Sequence, residues 1–292
     1  MKNQSKSKKK SNKNKLLIIS LILIVIIIIG LSLYIKRSRY TVEELYLKND
    51  SNEKIYAKLY RPKKSGKVPI VIYSHGLGAS HTAATNYAIE LTKYGIATIT
   101  FDFRGGADKN KSDGSSKEMS FRTEMEDLEF MIEEVKKFDF VDTNQIILMG
   151  SSQGGAISAL VSANHPNDIK GTVLLYPALG IPNAIRNWYS SIDSIPESRK
   201  MTSNITVGKI YFTDIWDLDV YSIVANDQKD IAIIQGTKDS LVPLNQSEKL
   251  NKIYDNSKLY LVEGAGHGFT GRYFNKAMEH VVDYLKHIKV IK

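Results

Sequence analysis

The sequence predicts an α/β fold in which helices cover both faces of a mostly parallel, doubly wound sheet. Six short apolar runs alternate along the chain with stretches of helical periodicity. Continuous apolar strands separated by amphipathic helices are typical of parallel sheets whose two faces are buried. A Gly-x-Ser-x-Gly turn directly after one of these runs indicates that chemistry takes place at the strand ends.

The predicted strands are rich in β-branched residues and are separated by turn residues. Two paired strands come first, at residues 41–49 and 53–62. The core strands follow at residues 68–74, 96–103, 145–150, 171–177, 231–236 and 258–264. Residues 119–138 give the clearest helix, because one face collects the apolar side chains Phe121, Met125, Leu128, Met131, Ile132 and Val135.

Residues 179–229 interrupt this alternation between two predicted core strands. The segment is dense in aromatic side chains, which are Trp188, Tyr189, Tyr211, Phe212, Trp216 and Tyr221. A structureless loop of this length is uncommon in a compact domain. We therefore predict a cap inserted into a domain of residues 40–292. The alternative is a longer helical crossover with a buried aromatic face.

The positive charge of the chain is concentrated at its N-terminus. The net charge is +9, but residues 1–39 hold 10 of the 40 Lys and Arg residues and no acid. The rest of the chain carries 30 basic against 31 acidic residues and is nearly neutral. We therefore expect no nucleic-acid partner for the domain.

Residues 16–35 form an uncharged apolar run of 20 residues behind a basic tail at residues 1–15. A helix of this length spans a hydrocarbon core of about 30 Å, so we predict a transmembrane anchor. Seven lysines precede the run, which favours a cytoplasmic N-terminus and an extracytoplasmic domain at the cell membrane. The alternative is a cleaved signal peptide, although the end of the run lacks an A-x-A cleavage pattern. The chain has no cysteine, so disulfides play no part.

The residues from Gly150 to Gly154 match the G-x-S-x-G pattern between a predicted strand and a predicted helix. In such a turn the middle residue is strained and its hydroxyl is exposed, which makes Ser152 the candidate nucleophile. Ser151 is then a small spacer. The alternative is a glycine-rich turn that only joins strand to helix. A serine hydroxyl reacts only when a base accepts its proton and an acid orients that base.

His267 and Asp239 are the candidate base and acid. His267 lies in a glycine-rich loop after the last predicted strand, and Asp239 lies just beyond the preceding core strand. Other acids at strand ends or in the predicted cap are Asp102, Asp214, Asp217 and Asp219. We assign Asp102 to a turn instead. The histidines at 165, 280 and 287 lie on helical patterns, where packing, surface or helix-dipole roles are expected.

The loop His75-Gly76-Leu77-Gly78 ends the first core strand. A tetrahedral oxyanion needs backbone donors, one from this loop and one from the residue after the nucleophile. These donors map to the N–H groups of Leu77 and Gln153. We expect His75 to shape the turn, and a direct catalytic role for it is the alternative.

Together the motifs SHGLG, FDFRGG with KSDG after it, GSSQGG, GTKDSLVP and GAGHGF resemble the α/β-hydrolase family. Within it they are similar to small bacterial carboxylesterases of the cinnamoyl (feruloyl) esterase and monoacylglycerol-lipase-like branch. The resemblance covers residues 50–290 and has the triad order Ser152, Asp239, His267. Two parts of the chain depart from the family pattern. The loop at 104–114 replaces a compact R-G-H-G-x-S form, and the segment at 179–229 does not align.

The resemblance implies an α/β-hydrolase fold and a serine hydrolase that needs neither metal nor cofactor. Its substrate would be a small-molecule or lipid-derived carboxylic ester, cleaved through an acyl-enzyme. A peptidase or amidase with the same triad is the alternative among enzymes. A non-catalytic binding protein on this fold is the alternative of a different class. The sequence carries no signal for an oligomeric state.

Overall fold

The computed structural model describes residue 19, residues 21–30 and residues 39–292. The chain divides into two units, residues 1–41 and 42–292. In the first unit residues 21–30 are helical and their apolar side chains are exposed. Within the described residues, no helix combines the length and the apolar character needed to cross a membrane. The predicted tail at 1–15 and most of the flanks of the predicted span at 16–35 lie outside the described residues, so the anchor stays a prediction.

A sheet of eight strands forms the centre of the second unit. The strands of the described chain are β1 (Tyr40–Lys48), β2 (Lys54–Pro62), β3 (Val68–Ser74), β4 (Ala97–Phe101), β5 (Val141–Ser151), β6 (Gly171–Leu175), β7 (Ser198–Thr202), β8 (Ile205–Gly208), β9 (Ile231–Gly236) and β10 (Ser257–Val262). The order in the large sheet is β1-β2-β4-β3-β5-β6-β9-β10. β2 runs antiparallel to β4, whereas every pair from β4 to β10 is parallel. The prediction of a mostly parallel sheet is confirmed.

Helices cover both faces of this sheet. They are α1 (Thr85–Thr92), α2 (Phe121–Lys136), α3 (Gln153–Asn164), α4 (Ile181–Trp188), α5 (Lys209–Thr213), α6 (Val220–Val224), α7 (Leu244–Ile253) and α8 (Gly271–His287). Alternate residues of β3 point to opposite faces, so Ile70 and Ile72 join one buried cluster, while Val71 and Tyr73 join another. α2 and α3 pack in the first cluster, and α1 and α8 pack in the second.

α2 begins where the sequence provides a cap. The Ser120 side chain accepts from the Thr123 N–H, and the Thr123 side chain accepts from the Ser120 N–H, which forms a reciprocal capping box. The predicted apolar face is buried except at Met125, which is half-buried. Two acids on the same face, Glu124 and Asp127, are also buried. The apolar periodicity alone does not predict them.

Segment 179–229 contains α4, a short 3₁₀ helix at Ile192–Ser194, α5 and α6. It also contains a separate two-stranded sheet in which β7 pairs antiparallel with β8. Aromatic side chains of α5, Tyr211 and Phe212, are fully buried, whereas Trp188 is 46% exposed. The segment therefore adds a hairpin and short helices between β6 and β9.

Candidate active site

Ser152 lies at a sharp turn between the end of β5 and the start of α3. Its backbone has φ 54° and ψ −120°, a strained conformation for a residue with a side chain. The strand and the helix approach so closely that a Cβ on Gly150 would lie 2.2 Å from the carbonyl oxygen of Gly154. A Cβ on Gly154 would lie 2.3 Å from the carbonyl oxygen of Ser74. The two glycines thus permit the turn that places the Ser152 hydroxyl beyond the strand end.

Ser152, His267 and Asp239 lie in a hydrogen-bonded series. Nε2 of His267 is 3.1 Å from Oγ of Ser152, and Nδ1 is 2.9 Å from Oδ2 of Asp239. With the carboxylate as acceptor, Nδ1 carries the proton and Nε2 is left to accept from the serine hydroxyl. The structure therefore brings these three predicted residues together, in the arrangement that a serine nucleophile requires.

The Asp239 carboxylate is held by groups from its own loop and from β9. Its Oδ1 accepts from the N–H groups of Leu241 and Val242, each at 2.9 Å. Its Oδ2 also accepts from Nε2 of Gln235 at 3.2 Å. The Asp239 side chain is fully buried, so these donors replace water and fix its orientation toward His267. Gln235 was not predicted, although a polar residue inside the apolar run 231–236 is a signal for a buried polar contact.

Tyr176 packs against His267 on the side of the imidazole ring. The two ring centroids are 4.7 Å apart in an edge-to-face arrangement, and Tyr176 has a positive φ of 38°. Burial raises the pKa of Tyr176 to about 12, so its hydroxyl stays neutral. Ser151 lowers the pKa of both the Tyr73 and the Tyr176 hydroxyl against the effect of burial. Ser151, predicted only as a spacer, therefore also interacts with two tyrosines beside the nucleophile.

The loop after β3 lies directly against the turn that carries Ser152, which we call the elbow. Leu77 and Gln153, the predicted oxyanion donors, line the same cavity as Ser152. The loop is fixed by the Gly78 N–H, which donates to the Gly106 carbonyl at 3.0 Å. His75 is buried and neutral, because burial lowers its pKa. Its Nδ1–H donates to the Gly76 carbonyl at 2.9 Å and its Nε2 accepts from the Phe103 N–H at 3.2 Å, which agrees with a turn-shaping role.

The side chain of Gln153 is held at both ends. Its Nε2 donates to Oε2 of Glu124 at 2.8 Å, and its Oε1 accepts from the Tyr211 hydroxyl at 2.6 Å. All three side chains are buried, and burial raises the pKa of Glu124 to about 8. Sequence reasoning missed Glu124 and Tyr211 as members of the site, although an acid on the apolar face of a helix was a visible signal.

Several other residues considered from the sequence have partners away from Ser152. Asp102 accepts from the N–H groups of His81 at 2.6 Å and Lys111 at 2.9 Å, which fits its assignment to a turn. Asp219 caps α6 and Asp214 pairs with Arg122. The helical histidines have these contacts: His165 with Asp168, His280 with the Leu261 carbonyl and His287 with Asp230.

A cavity of about 550 Å³, here called the elbow cavity, opens beside Ser152 and His267. Its apolar lining includes Leu77, Ile181, Ala184, Trp188, Met201, Leu241 and Val242. Two of these side chains lie at an open edge, since Leu241 is 71% and Trp188 46% exposed. A cavity of this size and lining suits an apolar group next to the reactive hydroxyl. A larger cavity of about 650 Å³, lined by Arg186 and Lys249 among others, has neither Ser152 nor His267 in its lining.

One solved structure matches the chain over most of its length. Est1E from Butyrivibrio proteoclasticus, solved with bound ferulic acid, is 25% identical to the chain. The alignment covers 83% of the chain and 98% of that protein, with a TM-score of 0.76. The α/β-hydrolase fold predicted from the sequence motifs is confirmed.

Curated relatives share shorter stretches with the chain. The quorum-quenching protein AidA of Acinetobacter baumannii is 30% identical over 118 residues, which is 39% of the chain and 38% of that protein. The acylamino-acid-releasing enzyme of Rattus norvegicus is 22% identical over 202 residues, which is 66% of the chain and 27% of that protein. The chain thus spans well under two thirds of the length of these relatives.

Two family models match the chain in succession. A model described as TAP-like protein matches residues 217–290. A model described as serine aminopeptidase, S33, matches residues 67–221, which is more than half of the chain. The chain therefore has the α/β-hydrolase fold and belongs to the family described as serine aminopeptidase, S33.

Proposed function

We propose that the protein hydrolyses carboxylic esters through an acyl-enzyme formed on Ser152. The observation that carries this proposal is the series Ser152, His267 and Asp239, which opens on the apolar elbow cavity. The likeness to Est1E, which was solved with bound ferulic acid, supports a carboxylic ester as the substrate class, because ester hydrolysis releases a carboxylic acid.

In the proposed mechanism, Oγ of Ser152 attacks the acyl carbon while Nε2 of His267 takes its proton. The N–H groups of Leu77 and Gln153 stabilise the oxyanion of the tetrahedral intermediate. His267 then protonates the departing alcohol, and the acyl-enzyme forms. A water that gives its proton to His267 hydrolyses the acyl-enzyme and restores Ser152. Asp239 keeps the proton of the neutral imidazole on Nδ1.

The acyl group of the substrate would occupy the elbow cavity. Segment 179–229 supplies much of its apolar wall through Ile181, Trp188 and Met201, so we propose that this segment acts as the cap. An apolar or aromatic acyl group gains free energy by leaving water for such a wall. Lipid-derived and aromatic esters are therefore the favoured substrates.

The alcohol of the ester would face a second, more polar cavity. This cavity of about 500 Å³ shares Ala79 and Ala83 with the elbow cavity. Asp108 and Lys109 of the unusual loop 104–114 line it, together with Asn204 of the β7–β8 turn. Because its walls differ in polarity from those of the elbow cavity, the two sides of the ester would meet different surroundings.

The test compares the full-length chain with its Ser152→Ala variant on short and medium p-nitrophenyl esters. The wild-type chain should hydrolyse these esters, and the variant should lose at least about a thousandfold in kcat, as happens when a triad serine is removed. Equal rates in the two folded proteins would overturn the proposal.

A peptidase or amidase activity is the second candidate. It is favoured by the description of the matched family as a serine aminopeptidase and by the likeness to the acylamino-acid-releasing enzyme. Matched ester and anilide substrates with the same acyl group separate the two candidates. An ester that is cleaved while the anilide stays intact supports an esterase, and comparable kcat/KM values on both substrates support the amidase.

We also propose that residues 16–35 anchor the protein in the cell membrane, with the N-terminus in the cytoplasm and the domain outside. The uncharged run and the seven lysines before it support this arrangement. Protease added to intact cells that express the full chain should digest the domain, which should otherwise fractionate with membranes. Protection of the domain until lysis would contradict the orientation, and its recovery in the soluble fraction would contradict the anchor.

A further inference from the structure

Glu124 and Tyr211 approach the elbow from two different parts of the fold and meet at one side chain. Glu124 lies on α2, Tyr211 lies on α5 in segment 179–229, and Gln153 is the first residue of α3. The Tyr211 hydroxyl donates to Oε1 of Gln153, whose Nε2 donates to Glu124. A buried hydrogen-bonded chain therefore connects segment 179–229 to the residue after the nucleophile.

The two hydrogen bonds leave the Gln153 side chain little rotational freedom. Both ends of its amide are bonded, and its side chain is fully buried, so rotation would break two hydrogen bonds away from water. The backbone of Gln153 is at the same time the proposed second oxyanion donor. A shift of the side-chain amide of Gln153 thus also acts on the backbone N–H of the same residue.

We propose that Glu124 and Tyr211 are positioning residues that fix the oxyanion donor Gln153 and make its placement depend on the seating of segment 179–229. The inference rests on the proposed esterase function. Tyr211 also lines the elbow cavity, where a bound acyl group would contact it, whereas Glu124 is absent from that lining. An acyl group bound in the elbow cavity would then change the position of the oxyanion donor through Tyr211 and Gln153.

The charged groups around Glu124 determine how the hydrogen bond between Glu124 and Gln153 changes with pH. On its own helix Glu124 faces Asp127, whose carboxylate is paired with Arg104 from the loop after β4. From α5 it faces Tyr211, and α3 carries no charged residue. An ionised Glu124 accepts more strongly from Gln153 than a protonated one, because charge-assisted hydrogen bonds are the stronger kind. The hydrogen bond from Gln153 to Glu124 therefore becomes stronger as Glu124 loses its proton.

The experiment measures kcat and KM of the full-length chain, Tyr211→Phe and Glu124→Gln on p-nitrophenyl esters of two acyl lengths. Loss of one hydrogen bond should lower kcat about five- to tenfold in Tyr211→Phe and leave KM within about twofold for both esters. The double variant should lose less than the product of the single effects, because both act through Gln153. The wild type should also gain activity near pH 8, and Glu124→Gln should not.

Tyr254→Phe is the matched control, because the Tyr254 hydroxyl is buried without a hydrogen-bond partner among the described residues. It should retain wild-type kcat. If Tyr211→Phe and Glu124→Gln also retain it, or if their effects lie in KM alone, the positioning role is wrong. An inactive wild type, or an active Ser152→Ala, would instead overturn the proposed esterase function. Melting temperatures and the double-variant cycle separate unfolding of a variant from a positioning effect.

Discussion

Ser152 has a backbone conformation that residues with side chains rarely adopt, and the neighbouring contacts hold it there. Its N–H donates to the Leu175 carbonyl at 3.0 Å, and its carbonyl accepts from the Ala178 N–H at 2.9 Å. These bonds tie the elbow to the end of β6 and to the residues that follow. The strain is thereby balanced by the surrounding fold, as is typical of functional sites.

Asp239 provides the first prediction at this scale. Asp239→Asn keeps the shape of the side chain but removes the charge that stabilises the His267 imidazolium and selects its tautomer. We expect kcat to fall by about a thousandfold or more, with KM little changed. Steady-state ester hydrolysis measures this effect. Asp102→Asn serves as the comparison, and a similar loss of activity in both folded variants would argue against Asp239 as the triad acid.

Gly154 gives a second prediction, on stability. Gly154→Ala would place a Cβ 2.3 Å from two backbone oxygens, those of Ser74 and His75, so the strand and helix must separate. We expect a loss of about 3 kcal/mol in the free energy of unfolding, measured by urea denaturation. At Gly266 a Cβ would meet only the Lys238 carbonyl at 3.8 Å, so Gly266→Ala is the control and should cost less than about 1 kcal/mol. Equal losses in the two variants would refute the packing argument.

Among the secondary-structure elements, the ranges of the strands could be predicted from the sequence more closely than the pairing between strands. The ranges of β3 and β9 are those predicted, because continuous apolar runs bounded by turn residues define them. β5 begins at Val141, earlier than the predicted 145, since Val141 pairs with Val68 of β3 and the register then shifts before Ile146 pairs with Ile70. Local periodicity carries no information on such pairing.

The residues of the site likewise fall into those that the sequence predicted and those that it did not. The sequence led to Ser152, His267 and Asp239 because each stands in a motif after a strand. Glu124 could not be assigned a role, because Gln153, which it contacts, lies 29 positions away on another helix and is brought close only by the fold. Segment 179–229 was visible only as an interruption, since its short helices and hairpin lack a regular apolar pattern.

Trp188 tests the contribution of α4 and its segment to substrate choice. Its side chain lines the elbow cavity and is 46% exposed at the cavity edge. We expect Trp188→Ala to raise KM about tenfold for esters of long or aromatic acids, which lose apolar contact area, and less than about twofold for acetate esters. A panel of p-nitrophenyl esters measures both. An equal change for all acyl lengths would show that Trp188 does not contact the acyl group.

For the whole molecule, the buried acids of α2 link stability to pH. Burial raises the pKa of Glu124 from its ordinary 4.5 to about 8, so the folded chain holds this proton more tightly than the unfolded chain does. The stability that this group contributes is complete below the lower value and is lost as pH rises through the higher one. Burial raises the pKa of Asp127 to about 7, although the nearby Arg104 lowers it. Asp127 therefore changes the stability in the same direction as Glu124.

We therefore expect the wild-type free energy of unfolding to fall between about pH 5 and 8, with Glu124 contributing at most about 1.4 kcal/mol per pH unit. Glu124→Gln should show a flatter dependence over the same range, because it cannot release a proton. Urea denaturation at several pH values measures the two curves. Parallel curves would mean that Glu124 does not titrate in this range.

The central claim is that Ser152 is the nucleophile of a serine hydrolase, and covalent labelling tests it most directly. The folded full-length chain is treated with a fluorophosphonate and examined by intact-mass and peptide mass spectrometry. The account predicts one adduct on Ser152, much slower labelling in His267→Gln and no labelling in Ser152→Ala. An unlabelled wild-type chain, or an adduct that persists in Ser152→Ala, would contradict it.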